Sequence, residues 1–234
     1  MNRVAIVIGV GPGLGAAIGR RLARGGYRVA LVARSAEFID ELARELSLLG
    51  QPSIAIAADA SRPEEMAAAV KRARAELGPI RVLFYNASEA SGDGLLGTSC
   101  AEFEQTWRIG ALGAFATARE TVPDMIAAGE GVIIFTGATS SMRGGGWLAF
   151  SSAKFALRGL AQSLARELWP QGIHVAHVLV DGLIGARGAT ENNSTEPMLD
   201  PDQMANAYFQ LTEQGRSAWT LELDLRPSRE KFFE

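Results

Sequence analysis

Residues 4–19 read VAIVIGVGPGLGAAIG. An apolar run of about six residues leads straight into glycines, which marks a strand and not a secretion signal. The stretch from Gly9 to Gly19, GVGPGLGAAIG, then opens a helix. Glycine tolerates positive φ and lets bare backbone approach a ligand, while the first N–H groups of a helix carry the positive end of its dipole. A strand, a glycine turn and a helix in that order suit a pyrophosphate. The turn matches G-x-G-x-x-A from Gly11, or G-x-x-x-G-x-G through Gly9, Gly13 and Gly15. Glycine-rich turns also serve tight strand–helix packing. Position separates the two readings, because this turn follows the first strand of a βαβ unit, where dinucleotides bind. Gly9, Gly11, Pro12, Gly13, Leu14 and Gly15 are the contacts expected there.

The end of the second strand, RVALVA (28–33), discriminates between cofactors. An acidic residue there would accept from the ribose 2′-hydroxyl of NAD. This chain has Ala33-Arg34-Ser35 and no carboxylate until Glu37. A guanidinium at Arg34 can pair with a 2′-phosphate, which favours NADP over NAD; the plainer reading is a solvated loop arginine. Asp59, after the third strand, either accepts from the adenine amino group or caps the helix that follows.

Further strands are expected at SIAIAA (53–58), RVLFY (81–85), GVIIFT (131–136), IHVAHVLV (173–180) and the closing AWTLELDL. Their nearly continuous apolar character is that of strands covered on both faces. Helices are expected at about 13–25, over Phe38, Leu42, Leu46 and Leu49, from SRPEE onward with Ser61 as N-cap, over about 101–128 with a bend near Pro123, from Trp147 to Trp169, and at DQMANAYFQLTEQ. Repeated β-α-β units with short connections predict an α/β protein with a doubly wound parallel sheet of about seven strands flanked by helices. No composition break marks a second domain. The polar segment 185–201 reads as a substrate-side loop or lid.

Bulk properties limit the function classes. The 234 residues carry a formal charge of −3, which gives no electrostatic reason to expect nucleic acid or an anionic membrane as partner. No stretch reaches the roughly 18 apolar residues of a membrane span. The single cysteine, Cys100, rules out an internal disulfide and suits the cytoplasm. It reads as a helix-start or packing residue. Two histidines and one cysteine, far apart, make no metal site. His174 and His177 lie on the sixth strand and read as hydrogen-bonded core residues.

With these motifs assembled, the chain resembles the short-chain dehydrogenase/reductase family over nearly its whole length. The family's G-x-x-x-G-x-G is Gly9, Gly13 and Gly15, and its aspartate after the third strand is Asp59, followed by Ala60. Its Asn-Asn-Ala-Gly appears as Tyr85-Asn86-Ala87-Ser88, and its Pro-Gly as Asp181-Gly182, with Ile184 just beyond. The resemblance implies one Rossmann domain over residues 1–234 and hydride transfer between a nicotinamide and a carbonyl or alcohol. It also implies a homodimer or homotetramer built from the fourth and fifth helices. Asn86, Ala87, Ser88, Gly182 and Ile184 would then join the cofactor contacts.

The family's Tyr-x-x-x-Lys appears as Phe150-Ser151-Ser152-Ala153-Lys154. By resemblance, Lys154 holds the nicotinamide ribose, and Phe150 stands where a tyrosine would protonate the carbonyl oxygen. The serine position falls at Gly137 or Ala138 and the relay asparagine at Gly110. Thr139, Ser140 and Ser141 follow the fifth strand and could orient an oxygen in the serine's stead, with Ser140 the candidate. Trp147 either lines a substrate site or packs at the helix start. Two functions follow as expectations. One is an NADP-dependent oxidoreductase for a small carbonyl, alcohol or activated double bond, with a non-standard proton donor. The other is an NADP(H)-binding sensor or partner subunit with impaired catalysis.

Overall fold

The structure is a computed structural model that describes residues 3–185 and 198–230. Seven parallel strands form one sheet in the order β3-β2-β1-β4-β5-β6-β9. They are β1 (Val4–Ile8), β2 (Arg28–Ala33), β3 (Ser53–Ala57), β4 (Ile80–Tyr85), β5 (Gly131–Thr136), β6 (Ile173–Val180) and β9 (Glu222–Leu225). Chain order reverses between β1 and β4, which opens a crevice at the C-terminal ends of those two strands.

Alternate residues of each strand feed two separate cores. Val4, Ile6 and Ile8 point toward α3 (Pro63–Leu77), α5 (Gly113–Ala128) and α6 (Leu148–Leu168). Ala5 and Val7 point toward α1 (Leu14–Arg24), α2 (Ala36–Ser47) and α7 (Pro201–Thr212). Each fully buried Ile, Val or Leu stabilises the fold by roughly 1.5–3 kcal/mol, so both faces of the sheet must stay covered. All eight residues of β6 are buried, which explains a run that is apolar apart from His174 and His177.

Three local expectations need correction. Leu49 lies past the end of α2 and is exposed, and the buried face of that helix is completed by Ile39 and Ala43. Ser61 does not cap α3. Arg62 holds the N-cap position, while the Ser61 N–H donates to Asp59 Oδ1 at 2.9 Å. The helical region that starts at α4 (Cys100–Trp107) is not broken at Pro123. It widens into a π turn over Arg108–Leu112 before α5. The cause lies outside the helix: the Tyr85 hydroxyl donates to the Ile109 carbonyl at 2.5 Å, and a side chain on Gly113 would strike Ala60 O and Tyr85 Oη.

Most of the expected loop at 185–201 lies outside the described residues. Its two ends are described. Strands β7 (Leu183–Ile184) and β8 (Met198–Leu199) pair in parallel, and α7 starts at Pro201, capped by Asp200 accepting from Asp202 N. Among the described residues, no helix is long and apolar enough to cross a membrane.

Candidate functional site

A cavity of about 550 Å³ opens over the C-terminal ends of β1, β2 and β4. Its base is the turn Gly9-Val10-Gly11-Pro12-Gly13 with the first residues of α1, Leu14 and Gly15. Glycines in this turn do two different jobs. A Cβ on Gly9 would lie 2.4 Å from Ala87 N, and one on Gly15 would lie 2.7 Å from Gly9 O, so these two are required by the packing of the chain itself. A Cβ on Gly11 would meet nothing within 4 Å, and one on Gly13 only Ile184 Cγ2 at 3.7 Å. Those two present bare backbone to the cavity. Gly13 is the N-cap of α1 and supplies no side-chain cap, and the first turn has no acidic residue. The uncapped N–H groups and the positive helix end therefore face open space, which is what a phosphate group needs.

Asn86, Ala87 and Ser88 form the neighbouring wall. Asn86 fastens it, with its backbone N–H donating to Ile8 O at 2.8 Å and its Nδ2 to Gly9 O at 3.0 Å. The opposite end holds Arg34, Ser35, Asp59 and Ala60. Burial acts to raise the Asp59 carboxyl, but the Ser61 hydrogen bonds and the charges of Arg34 and Arg62 outweigh it and hold the group below its ordinary range. The structure thus brings together in one cavity the glycine turn, Arg34, Ser35, Asp59, Ala60, Asn86, Ala87, Ser88 and Ile184. Phe38 and Ile109 also line it. Phe38 reads in the sequence as a core residue, and its place just after Arg34-Ser35 was the available signal. Ile109 carried none, because the π turn delivers it.

Lys154, Ser140, Phe150 and Gly182 are not among the residues lining this cavity. Lys154 is 2% exposed and donates to Thr136 O at 2.7 Å. Burial pushes its amine down to about 8. Phe150 is buried one turn earlier, its ring 5.3 Å from the Lys154 Nζ and edge-on to the exposed Trp147. Thr139 donates to Asp181, and Ser141 Oγ accepts from Ala138 N, so both hydroxyls hold the local turn. Ser140 lies half-buried between them in the 3₁₀ turn Thr139–Ser141. Gly182, at φ +130°, packs against Pro227.

Neither glycine aligned with a catalytic side chain has room for one. A Cβ on Gly110 would lie 2.8 Å from Ala153 Cβ. A Cβ on Gly137 would lie 2.1 Å from His177 Nε2 and 2.9 Å from Ser141 Oγ. His174 behaves as expected for a core histidine, bonded to Leu211 O and Thr220 O. His177 does not: it is fully buried, and neither ring nitrogen has a hydrogen-bond partner. Its Nδ1 stands 3.5 Å from Glu222 Oε1. Burial pushes the ring down to about 4, with Lys154 and Arg158 adding to the effect and Glu222 opposing it.

This packing makes a prediction. Gly137→Ser should destabilise the fold by about 2 kcal/mol through overpacking. His177→Ala should relieve that clash, so the double variant should be more stable than the sum of the single changes by more than about 1 kcal/mol. Urea denaturation of the four proteins measures the coupling, and simple additivity would refute it. Among the described residues, no three His, Cys, Asp or Glu side chains are grouped to hold a metal ion.

The family model for short chain dehydrogenases matches residues 3–197. The glycine betaine reductase ATRR of Emericella nidulans is 29% identical over 98% of this chain, which spans only 19% of that protein. A short-chain dehydrogenase from Rhodopseudomonas palustris is 36% identical, with a TM-score of 0.85 over 97% of this chain and 99% of the other. A metagenomic short-chain oxidoreductase solved in complex with NADP is 28% identical, with a TM-score of 0.85 over 98% of each chain. Fold, glycine turn and sequence agree, and the chain belongs to the short-chain dehydrogenase family of oxidoreductases.

Proposed function

We propose that this chain is an NADP-dependent oxidoreductase that moves hydride between NADP(H) and a small carbonyl, alcohol or activated double bond, with a proton donor other than a tyrosine. The observation that carries the reading is the composition of the cavity's two ends. Uncapped N–H groups of α1 meet the pyrophosphate at one end. Arg34 stands at the other, in the position that an NAD enzyme gives to a carboxylate. The metagenomic relative that was solved with NADP supports the choice of cofactor.

The bound cofactor supplies the hydride. The residues of the chain bind and orient it: Arg34 pairs with the 2′-phosphate, Asp59 accepts from the adenine side, and Asn86 keeps the turn in place. Lys154 is a cation in a dry setting with one bond to Thr136 O, and its remaining N–H groups suit ribose hydroxyls. Phe150 has no proton to transfer. Losing a positioned general acid costs about 10²–10⁴-fold in rate, which favours substrates whose protonation is easy, such as an activated C=C or C=N bond.

A second reading, an NADP(H)-binding sensor or partner subunit, is favoured by the closed positions at Gly110 and Gly137. Thermal shift with NADPH and NADH tests the common part, because a ligand at about 100 times its Kd adds about 2.7 kcal/mol. No shift with either nucleotide would sink both readings. NADPH consumption with a panel of carbonyls and activated alkenes then separates them. Turnover by the unmodified protein supports the enzyme, and turnover appearing only in Phe150→Tyr supports the sensor. Arg34→Glu should weaken NADPH about 10–100-fold, the worth of one or two charge-assisted bonds, and leave NADH nearly unchanged. Equal losses by calorimetry would refute the choice of NADP.

A further inference from the structure

We propose that the ion pair between Asp181 and Arg226 is a latch by which the segment after β9 sets the position of Ile184 in the wall of the nucleotide cavity. The inference deepens the reading above and, for its nucleotide part, rests on it. Its starting point is a residue that the family resemblance does not explain. Where the family's Pro-Gly has a proline, this chain has Asp181. Proline has no N–H to give. The Asp181 N–H donates to Leu225 O at 3.0 Å, so the ladder between β6 and β9 runs one bond beyond its last pair, Val180 with Leu225. The carboxylate then meets two other segments. One oxygen accepts from the Thr139 hydroxyl, at the start of the turn after β5, and the other from the Arg226 guanidinium. Asp224 holds the far side of Arg226 with bonds of 2.7 and 3.0 Å. The side chains of Asp181 and Arg226 are only 15% and 10% exposed. Charge-assisted bonds shielded in this way fix a geometry that an exposed ion pair would not.

Ile184 follows three positions after Asp181. Between them Gly182 turns the chain at φ +130°, and a Cβ there would lie 2.9 Å from Pro227 Cδ and 3.0 Å from Pro227 Cγ. The residue after Arg226 therefore packs directly on this turn. Leu183 and Ile184 then pair with Met198 and Leu199, and the Gly185 N–H donates to Leu199 O at 2.9 Å. Ile184 lines the cavity, and a Cβ on Gly13 would stand 3.7 Å from its Cγ2. A two-stranded pairing has little stability of its own. Leu183 and Ile184 are both exposed, so burial does little to fix their place. The Asp181 carboxylate, held from β5 and from β9, supplies the anchor. Without the guanidinium, a largely buried carboxylate loses its charged partner, and leaving it so is costly. Asp181 and Pro227 can then shift, and the short strand that carries Ile184 shifts with them.

Backbone hydrogen exchange, followed by NMR on the full chain without nucleotide, tests the latch. Arg226→Gln should speed exchange of the Gly185 N–H at least about tenfold, as expected when a bond between charged groups is lost. Asp181→Asn, which keeps the size of the side chain, should do the same and decides the matter if Arg226→Gln does not fold. Arg226→Lys restores a cation opposite Asp181 and should recover most of the loss. Arg158→Gln is the control. It breaks the pair with Glu222 that ties the same strand β9 to α6, and it should leave Gly185 unchanged. Calorimetry should show NADPH binding weakened about 3–10-fold in Arg226→Gln and unchanged in Arg158→Gln, a split that general loosening of the edge strand would not give. Unchanged exchange at Gly185 in Arg226→Gln overturns the latch, and so does equal loosening in Arg158→Gln. Faster exchange with unchanged NADPH affinity overturns its part in the cavity. A parent chain that binds no NADPH removes the oxidoreductase reading instead, and exchange at Gly185 still decides the latch.

Discussion

Replacing Gly9 with alanine is expected to destabilise the fold by about 2–5 kcal/mol and to abolish nucleotide binding. Gly9 sits at φ +84°, where a Cβ costs about 1–2 kcal/mol. That Cβ would also lie 2.4 Å from Ala87 N, 2.5 Å from Ala87 Cα and 2.8 Å from Asn86 C. All three are backbone atoms at the end of β4, so no side-chain rotation makes room. Nor can the two segments separate cheaply, because Asn86 bonds to Ile8 O and to Gly9 O. Overpacking of this kind adds about 1–3 kcal/mol. Gly11→Ala is the contrasting variant. Its Cβ meets nothing, and its φ is not in the left-handed region, so stability should stay within about 0.5 kcal/mol of the parent. If the cavity takes a pyrophosphate, NADPH binding should nevertheless fall, since the methyl projects from backbone that the phosphate must approach. Urea denaturation and NADPH thermal shift on both variants measure the two effects separately. A stable Gly9→Ala protein would contradict the packing argument.

The same contrast explains what was legible in the sequence. The ends of β1 to β6 were readable to within a residue because strands buried on both faces are nearly all apolar and stop at glycine or charge, as VAIVI and IHVAHVLV do. The closing strand, read as AWTLELDL, begins only at Glu222, because it is an edge strand with no buried face to mark its start. The glycine turn, Arg34, Asp59 and Asn86 lie far apart in the chain. They were predictable as one group because every βα turn of a parallel sheet emerges at the same edge, and chain order reverses between β1 and β4. What failed depended on contacts between elements distant in sequence. Ser61 has the right residue type for a cap, but α3 starts one residue too late for it, with Arg62 at the N-cap. Pro123 looked like the place for a bend, yet the irregularity lies where Tyr85 reaches the Ile109 carbonyl from another element. His177 belonged to a strand whose residues are all buried, and nothing local shows that its nitrogens would go unpaired beside Gly137. Pattern reports which face of an element is covered, not which atom arrives to cover it.

Lys154→Met is expected to stabilise the protein by roughly 2 kcal/mol at pH 7. The amine falls from 10.5 to about 8, and burial is the cause. At about 1.4 kcal/mol per pH unit, holding that charge in the core at neutral pH costs roughly 3 kcal/mol. Methionine fills similar space with no charge to desolvate, and the bond lost at Thr136 O gives back only about 1 kcal/mol. The pH dependence identifies the cause. Below about pH 8 the lysine is protonated in both states, so the full cost is present and constant. Between about 8 and 10.5 the unfolded chain keeps the proton that the native state has released, so the unfolded state binds more protons and stability rises with pH. Lys154→Met should show no such rise. Tyr27, Tyr85 and Tyr208 are all pushed up by burial, and they make stability fall as pH passes about 10, so the informative window lies below that value. Parallel urea titrations at pH 7 and 9.5 decide the matter, since equal slopes in the two proteins would mean that Lys154 is solvated in the native state. A fold that retains a cation at such a cost, with Phe150 as its neighbour and no carboxylate shifting it among the described residues, gains nothing in stability from it.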